Sequence, residues 1–360
     1  MRRNYYKYIF FFNFIFISIL IIFVFNSTNN TIYKPVSVST PIINTTLLNA
    51  EFCQNAEGAV IIDAKSGAVL YEKNANVRLP MASTTKIMTA LCVIEKADLN
   101  SIITISKNAA NTEGSSIYLK EGEEISVQDL LYGLMLESGN DAAIALAEGC
   151  FGSVDECVKY MNQKAHEIGL IDTHFENPEG LDNENHYTTA YELSLITKHA
   201  LQNDFFTKLV SSKNYTTNTN IPHYFSNHNR LLNSFEGTLG VKTGYTSKSG
   251  RCLVSCAKRE NEMYLAVTLN CPDDWSCHKE MLEFAFENHE SCEVASKDSF
   301  IIYNGFKKYS PDDSLFITST GEGDFNLNYK ITSDKENLIC EYSTENSRLG
   351  YFCLYEDNYQ

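Results

Sequence analysis

Residues 83–94 read STTKIMTALCVI, a serine and a lysine three positions apart at the head of an almost wholly apolar run. Side chains three residues apart lie on one face of a helix, so the amine of Lys86 can reach the hydroxyl of Ser83. A run with almost no polar face is typical of a helix buried inside a domain. A hydroxyl beside an amine, at a helix N-terminus with its N–H groups and dipole, is the minimum equipment of an activated serine nucleophile.

Two further short motifs lie downstream of this serine. Residues 138–140 read Ser-Gly-Asn between two predicted helices, residues 126–136 and 141–148, where glycine permits a sharp bend. Residues 242–244 read Lys-Thr-Gly inside a predicted strand, residues 239–245. Each motif alone occurs often by chance, whereas the three in this order and on these elements form a specific set.

The residue types of the first two motifs suggest roles in proton transfer. Lys86 can act as a base only when it is neutral, and burial beside a second cation such as Lys242 would lower its pKa. Ser138 can relay a proton between Lys86 and a leaving amine. Asn140 offers an amide that can hold Lys86 or the backbone of a substrate.

The third motif suggests the substrate-binding side of the same site. Lys242 and Thr243 can present a charge and a hydroxyl to a carboxylate. Gly244 leaves room for a substrate to lie against the strand. The backbone amides of Ser83 and Tyr245 can form an oxyanion hole. Together the motifs predict nucleophilic catalysis in a groove bounded by a strand edge.

The composition sets limits on size and partners. The chain has 360 residues, enough for a large domain and a small one, and at 44% hydrophobic residues it can build a substantial core. A net charge of −16 argues against nucleic acid or an anionic membrane surface as the main partner. The eleven cysteines are expected to be mostly small buried apolar residues. The pairs Cys271–Cys277 and Cys340–Cys353 are the first candidates for disulfides.

The first 27 residues have the pattern of an export signal. Arg2, Arg3 and Lys7 precede the apolar run 8–25, which is long enough to cross a bilayer. No small-x-small cleavage site follows this run, which slightly favours an uncleaved anchor with its basic residues in the cytoplasm over a cleaved signal peptide. In both cases the rest of the chain is expected outside the cytoplasmic membrane, on its outer face or in the cell wall.

The remaining sequence falls into three parts. Residues 28–50 form a polar linker. Residues 51–290 carry the motifs, and their order of strands and helices predicts an α+β fold with an antiparallel sheet flanked by helices. Residues 291–360 alternate short strand-like runs with Gly, Asp and Ser, which predicts a small β-rich domain. The residues from 348 onward have no amphipathic basic pattern, so a C-terminal membrane helix is not expected.

At this point the chain resembles the serine D-alanyl-D-alanine carboxypeptidases, the low-molecular-weight penicillin-binding proteins. The resemblance covers roughly residues 52–290 and extends through the β-rich domain. It includes segments longer than the three motifs, which are LPMASTTKIMT at 79–89, LESGNDAA at 136–143, NPEGLD at 177–182, HYTTA at 186–190, NHNRLL at 227–232 and GVKTGYT at 240–246.

The resemblance implies a fold and a reaction. The fold would be the DD-peptidase/β-lactamase type, a sheet flanked by helices with an all-helical lobe. Ser83 would attack the carbonyl between the two terminal D-alanines of a peptidoglycan stem peptide, Lys86 would take its proton, and Ser138 and Asn140 would assist. The Lys-Thr-Gly strand would bind the terminal carboxylate side, water would release the acyl-enzyme, and β-lactams would trap Ser83. No metal ion or organic cofactor is implied.

One departure from the family pattern concerns the substrate carboxylate. Members often carry an arginine shortly after the sheet of the third motif that helps to hold it, and residues 272–278 have none. Arg251 or His278 are the candidates to replace it, although His278 is expected rather at the surface.

Two other functions compete with this interpretation. A class A β-lactamase would need a glutamate in the long loop, residues 175–186, to activate the deacylating water, and Glu176 and Glu179 lie there. The Ser-Gly-Asn triplet, in place of Ser-Asp-Asn, and the additional β-rich domain favour the carboxypeptidase. A non-catalytic peptidoglycan-binding or sensor protein would retain the same pocket around an unreactive serine.

Overall fold

The computed structural model describes residues 52–295 without a gap and, beyond them, the strands between residues 302 and 356. These residues belong to two compact units, one up to Ser291 and one from Cys292 onward. Each unit contains a five-stranded sheet of its own. The predicted signal or anchor and the polar linker lie outside the described residues.

The helices of the first unit surround one sheet and form a helical lobe beside it. They are α1 (Lys86–Lys96), α2 (Lys107–Ala110), α3 (Val127–Leu136), α4 (Asn140–Phe151), α5 (Val154–Ile168), α6 (Ala190–Ala200), α7 (Asp204–Ser211), α8 (Leu231–Ser234) and α9 (Asp274–Asn288). Several begin at a hydroxyl side chain that accepts a hydrogen bond from a backbone N–H of the first turn, which satisfies a donor that the helix leaves unpaired. Ser126, Ser153 and Thr189 do this for α3, α5 and α6.

The strands of the first unit form one large sheet and two small hairpins. They are β1 (Gly58–Asp63), β2 (Val69–Lys73), β3 (Ile102–Thr104), β4 (Glu124–Ser126), β5 (Asn214–Thr216), β6 (Tyr224–Ser226), β7 (Thr238–Thr246), β8 (Gly250–Arg259) and β9 (Glu262–Leu269). The large sheet has the order β2-β1-β9-β8-β7, and every neighbouring pair is antiparallel. Strand β7, which carries the Lys-Thr-Gly motif, lies at one edge and faces the turn that carries Ser83.

Helix α1 lies at the centre of the helical lobe. All of residues 86–93 are buried, and α1 packs against α3, α4, α5 and α6. A helix that is apolar on every side is stable only when other elements surround it. The buried position predicted from its sequence is thus confirmed, as are the antiparallel sheet and the helices that flank it.

Helix α9 begins earlier than the sequence predicted. The sequence of residues 281–288 predicts a closing amphipathic helix that begins at Met281, whereas α9 begins at Asp274 and includes His278. The expectation that His278 lies at the surface is wrong, because α9 packs on β9 and turns this ring into the core. The ring is fully buried, and its Nε2 lies 2.9 Å from Oγ1 of Thr268. His278 therefore has no access to a substrate.

The second unit consists of strands, as the sequence predicted. From residue 290 onward they are β10 (Glu290–Ala295), β11 (Ile302–Asn304), β12 (Lys307–Pro311), β13 (Leu315–Ser319), β14 (Asn328–Asp334), β15 (Asn337–Ser343) and β16 (Arg348–Glu356). Five of them form a sheet in the order β11-β12-β16-β15-β14, and β10 pairs with β13. Residues 348–356, where no amphipathic helix was expected, are a strand.

The cysteines of the first unit behave mostly as apolar core residues. Cys252 and Cys256 lie four residues apart on β8, and both are buried. Cys271 and Cys277 are free thiols whose Sγ atoms lie 3.4 Å apart.

Among the described residues, no helix is both long and apolar enough to span a membrane.

The second pair of candidate cysteines is not aligned in the sheet of the second unit. Cys340 on β15 is opposite Phe352, and Cys353 on β16 is opposite Ile339. The two residues are thus offset by one position in the ladder.

Candidate active site

A single turn of 3-10 helix, Ala82–Thr85, positions the nucleophile ahead of α1. Ala82 has a φ of +47°, a left-handed conformation that L residues seldom adopt. The hydroxyl of Thr85 donates a hydrogen bond of 2.7 Å to the carbonyl of Ala82 and holds this turn closed. Ser83 then stands one helical turn before Lys86, and Oγ of Ser83 lies 2.9 Å from Nζ of Lys86. The contact predicted from their spacing is confirmed.

Lys86 is fully buried and has two other polar neighbours. Its Nζ lies 2.8 Å from Oδ1 of Asn140 and 2.5 Å from the backbone carbonyl oxygen of Glu179. Both of these oxygens can only accept hydrogen bonds. A neutral amine has two protons and one lone pair, so its protons point to these oxygens and its lone pair points to the hydroxyl of Ser83. The surroundings of Lys86 thus orient it as the base for Ser83.

The electrostatics of the site favour the neutral form of this amine. Burial lowers the pKa of Lys86 well below its ordinary value, and the nearby charge of Lys242 lowers it further. Burial also lowers the pKa of Lys242, to about 7. The Nζ of Lys242 donates a hydrogen bond of 2.9 Å to the carbonyl of Thr243. The second cation inferred from the sequence therefore acts on Lys86 in the expected direction.

The Ser-Gly-Asn motif lies at the junction of α3 and α4, as predicted. Asn140 is the first residue of α4, and its Nδ2 donates to the carbonyl of Glu113 at 2.8 Å, which fixes Oδ1 toward Lys86. Ser138 is buried and has a φ of +63°. Its hydroxyl makes no hydrogen bond to Lys86 in the part of the chain that the structure describes. Asn140 is thus in direct contact with the base, Lys86, whereas Ser138, two residues earlier in the sequence, is not hydrogen-bonded to it.

The Lys-Thr-Gly strand closes the other side of the groove. A Cβ atom on Gly244 would lie 3.1 Å from the backbone nitrogen of Ser83 and 3.2 Å from Cβ of Ala82. This close approach explains why the position holds a glycine. Tyr245 follows it on the strand with its side chain 68% exposed, so only the backbone of Tyr245 faces the nucleophile turn. Its amide and that of Ser83 are the oxyanion-hole donors inferred from the sequence.

Two residues that sequence reasoning did not place in the site also support it. Glu179 contributes its backbone carbonyl to Lys86, and His186 supports the nucleophile turn from behind. The backbone N–H of Glu176 donates to Nδ1 of His186 at 3.0 Å, so the ring proton is on Nε2 and points to Oγ1 of Thr85 at 2.7 Å. Both residues lie in segments that resemble the family, NPEGLD for Glu179 and HYTTA for His186, and the sequence had marked Glu179 only through its carboxylate.

The long loop does not supply an obvious base for a deacylating water. The carboxylate of Glu176 is partly exposed and lies 3.5 Å from Nδ1 of His174. Burial raises the pKa of Glu179, which disfavours the carboxylate form that a water-activating base needs. Among residues 52–295, no hydrogen bond joins either carboxylate to Ser83 or Lys86, and the contact of Glu179 with Lys86 is made by its backbone carbonyl.

Comparison with known proteins agrees with this geometry. The sequence profile of the family described as D-alanyl-D-alanine carboxypeptidase matches residues 46–273. The chain belongs to this family. It is 36% identical over 326 residues to the D-alanyl-D-alanine carboxypeptidase DacF of Bacillus subtilis, a match that spans 86% of this chain and 83% of DacF.

Solved structures of the family have the same fold. Penicillin-binding protein 5 from Haemophilus influenzae superimposes with a TM-score of 0.72 at 28% identity, over 84% of this chain and 96% of that one. A serine-to-alanine mutant of the Streptomyces K15 DD-transpeptidase superimposes with a TM-score of 0.62 at 33% identity, over 64% of this chain and 98% of that one. The family, the fold class and the enzyme class inferred from the sequence are therefore confirmed: the chain is a serine D-alanyl-D-alanine carboxypeptidase by family and by fold.

Proposed function

We propose that this enzyme removes the terminal D-alanine from peptidoglycan stem pentapeptides through an acyl-enzyme on Ser83. The observation that carries the proposal is the hydrogen-bond geometry of Lys86. Its Nζ lies 2.9 Å from the hydroxyl of Ser83, while its two other neighbours, Asn140 Oδ1 and the carbonyl of Glu179, can only accept hydrogen bonds. A buried neutral amine in this arrangement has its lone pair directed at a single hydroxyl.

Acylation follows from this arrangement. As Oγ of Ser83 attacks the carbonyl carbon between the two D-alanines, its proton passes to Nζ of Lys86. The carbonyl oxygen gains negative charge and is stabilised by the backbone N–H groups of Ser83 and Tyr245. Lys86 gains a positive charge, and the oxygens of Asn140 and Glu179 stabilise it. The proton then passes to the nitrogen of the departing D-alanine, through Ser138 or directly, and the C–N bond breaks.

Deacylation returns the enzyme to its starting state. A water molecule attacks the Ser83 ester, the water proton passes to Lys86, and Oγ of Ser83 leaves with a proton from the lysine. β-Lactams present a strained amide in place of the D-alanyl-D-alanine bond and acylate the same oxygen. Their binding is a property of the family, whose solved members include penicillin-binding proteins.

The reaction is tested by incubating the purified enzyme with a stem pentapeptide and following the peptide by mass spectrometry. The expected product has lost one alanine, and Ser83→Ala gives none. A fluorescent penicillin is expected to label the wild type and not Ser83→Ala. Failure of the folded wild type to take up the label would support the non-catalytic alternative. Rapid turnover of a β-lactam would support the β-lactamase alternative instead.

We further propose that the enzyme acts on the outer face of the cytoplasmic membrane, held there by residues 1–27. The basic residues Arg2, Arg3 and Lys7 ahead of the apolar run 8–25 support this orientation. The test is cell fractionation followed by N-terminal mass analysis of the mature protein. An intact N-terminus in the membrane fraction is expected. A shortened protein in the medium or wall fraction would show that the segment is a cleaved signal, and an enzyme confined to the cytoplasm would overturn the location.

A further inference from the structure

The residue that holds the substrate carboxylate is missing from the segment where the family often carries it. Residues 272–278 contain no arginine, and His278, one of the two candidate replacements, is fully buried. The carboxylate of the terminal D-alanine is the one full charge at the scissile end of the substrate. Lys242 is the other cation of the site, but it is buried and its Nζ donates to the carbonyl of Thr243. A second, accessible cation would therefore strengthen the discrimination for this carboxylate.

The register of the large sheet brings Arg251 to the Lys-Thr-Gly strand. Arg251 on β8 is directly opposite Tyr245 on β7, and residues opposite each other in an antiparallel ladder point to the same face. Thr243, two residues from Tyr245, points to that face as well. Arg251 and Thr243 are thus diagonal neighbours, about 7–8 Å apart at their Cα atoms and within reach of a long side chain.

The guanidinium of Arg251 is held in place and remains accessible. Its Nη2 donates to Oδ1 of Asp274 at 2.9 Å, and the Arg251 side chain is 42% exposed whereas that of Asp274 is 4% exposed. The same Oδ1 accepts from the backbone N–H of Trp275 at 2.9 Å, which fixes the carboxylate at the first turn of α9. An arginine has five donors. The Nε of Arg251 is buried, so the terminal N–H groups are the donors that this contact leaves for a second carboxylate.

The charge around this fork is also favourable for an anion. Asp274 interacts with a second arginine, Arg230, whose Cζ lies 5.8 Å from the centre of the Trp275 ring. Of the two arginines, Arg251 alone is hydrogen-bonded to Asp274, and Arg230 adds a second positive charge nearby, so these three side chains carry one net positive charge. An incoming carboxylate would balance it.

Strand β8 carries a second arginine that serves as an internal comparison. Arg259, at the other end of β8, pairs with Glu283 of α9 at 3.0 Å. Its Cζ lies 4.8 Å from the ring of Phe235 and 4.3 Å from that of Phe286. Both arginines thus pair with a carboxylate of α9, but Arg259 is enclosed by aromatic rings far from the motif, whereas Arg251 has no ring against it among residues 52–295.

We propose that Arg251, positioned by Asp274, binds the terminal carboxylate of the substrate together with Thr243 and so replaces the arginine that is missing after the sheet. The proposal rests on the carboxypeptidase function. It makes Arg251 a specificity-determining residue and Asp274 a positioning residue that acts through it.

The test compares substrates that differ only in this carboxylate. The steady-state kcat/KM of wild type, Arg251→Gln, Arg251→Lys and the matched control Arg259→Gln is measured on an acylated Lys-D-Ala-D-Ala peptide and on its C-terminal amide. Arg251→Gln is expected to lower kcat/KM for the acid about 100-fold, the loss of one charge-assisted bidentate contact, and to leave the amide nearly unchanged. Arg251→Lys should recover part of the loss, and Arg259→Gln should change neither substrate.

Asp274→Asn tests the positioning role with the same pair of substrates. Because Arg251 itself remains, the loss on the acid is expected to be smaller, about 10-fold, with a larger change in KM than in kcat and no change on the amide. Thermal melting establishes that each variant is folded. If a variant of Arg251 is folded and loses acid and amide equally, or loses neither, the proposal is wrong. The same holds if Arg230→Gln, and not Arg251→Gln, abolishes the discrimination.

A second pair of reagents separates this proposal from the reaction itself. A penicillin and its methyl ester acylate Ser83 with and without a free carboxylate, and labelling needs no peptide turnover. If the wild type fails to cleave the peptide but Arg251→Gln still labels about 100-fold more slowly with the acid alone, the proposed reaction fails and the assignment of Arg251 stands. Equal labelling by acid and ester in every variant would overturn the assignment.

Discussion

The groove has two walls, one formed by the helical lobe and one by strands β7 and β8. The basic side chains of the two walls differ in burial and therefore in charge. On the wall made by the helical lobe, Lys86 is fully buried and its pKa is well below the ordinary value. On the strand wall, Arg251 is 42% exposed and paired with Asp274. Burial removes the charge of an amine and makes it a base, whereas a guanidinium keeps its charge under any condition the enzyme meets. One wall is suited to moving a proton and the other to holding an anion.

Lys242 lies on strand β7 of the strand wall, but its side chain is buried, as that of Lys86 is on the other wall. It is fully buried on β7, and burial lowers its pKa to about 7 against the opposing charge of Glu137. It can therefore exchange its proton near neutral pH. The difference in charge between the two walls thus depends on how far each basic side chain is removed from water, more than on its residue type. Substitutions on each wall test this.

The largest effect is expected from Lys86→Arg, which would make the buried wall keep its charge. A guanidinium cannot lose its proton at working pH, so Ser83 would lose its base. We expect the rate of acylation by a fluorescent penicillin to fall by at least about 1,000-fold while far-UV circular dichroism shows a retained fold. A rate near that of the wild type would show that Lys86 is not the base and that the two walls do not differ as described.

A large effect is also expected from Gly180→Ala, which would place a Cβ atom between the long loop and the turn that carries Ser83. Gly180 has a φ of +89°, and a Cβ atom there would lie 2.0 Å from the carbonyl oxygen of Ala82. Gly180→Ala should displace the turn that carries Ser83 and slow acylation about 100-fold.

The matched control for Gly180→Ala is Gly122→Ala. Gly122 has a similar φ of +81°, but a Cβ atom there meets nothing within 4 Å. It should cost about 1 kcal/mol of stability through backbone strain alone and leave acylation unchanged. Equal loss of acylation in both variants would show that strain, and not the position of Ser83, limits the reaction.

The pH dependence of kcat/KM separates the two lysines. As the pH falls, Lys86 gains a proton and activity is lost; as the pH rises through about 7, Lys242 loses its proton and the carboxylate loses a cation. The expected profile is a bell, and Lys242→Arg should remove its alkaline limb because arginine stays charged.

The neutral variant Lys242→Gln sharpens the same measurement. It removes the positive charge that lowers the pKa of Lys86, so the acid limb should move to higher pH. At the alkaline side its profile should be flat and low. An acid limb that stays in place would show that burial alone, without Lys242, sets the pKa of Lys86.

The smallest effect is expected behind the buried wall, at Thr85. Its hydroxyl donates to the carbonyl of Ala82 and accepts from His186, so Thr85→Val breaks the support of the nucleophile turn without touching the groove. Acylation should fall about 10-fold and stability by about 1–2 kcal/mol. Thr197→Val removes a buried hydroxyl that donates to Leu193 inside α6, and it should show the stability loss alone. If both variants acylate at the wild-type rate, His186 has no positioning role.

The sequence predicted the contacts of the motifs correctly but the start of α9 and the burial of His278 incorrectly. The motifs predicted which residues meet, because residues three apart in a helical turn lie side by side, as Ser83 and Lys86 do across the 3-10 turn, and a glycine marks the close approach of β7. Helix α9 was predicted seven residues too short, and His278 was placed at the surface. The segment before Met281 mixes acidic, aromatic and cysteine residues without an apolar period, so only packing on β9 shows which face is buried.

The sequence by itself determined the chemistry: an amine one helical turn from a hydroxyl, an amide to orient it, and a strand with a glycine to admit a substrate. These follow from local geometry, since chain spacing alone sets which side chains share a face. Only the tertiary structure decided the direction of the two lysine pKa shifts and the position of Arg251. Desolvation depends on everything that packs around Lys86 and Lys242, and the register of β7 against β8 is what places Arg251 beside Thr243.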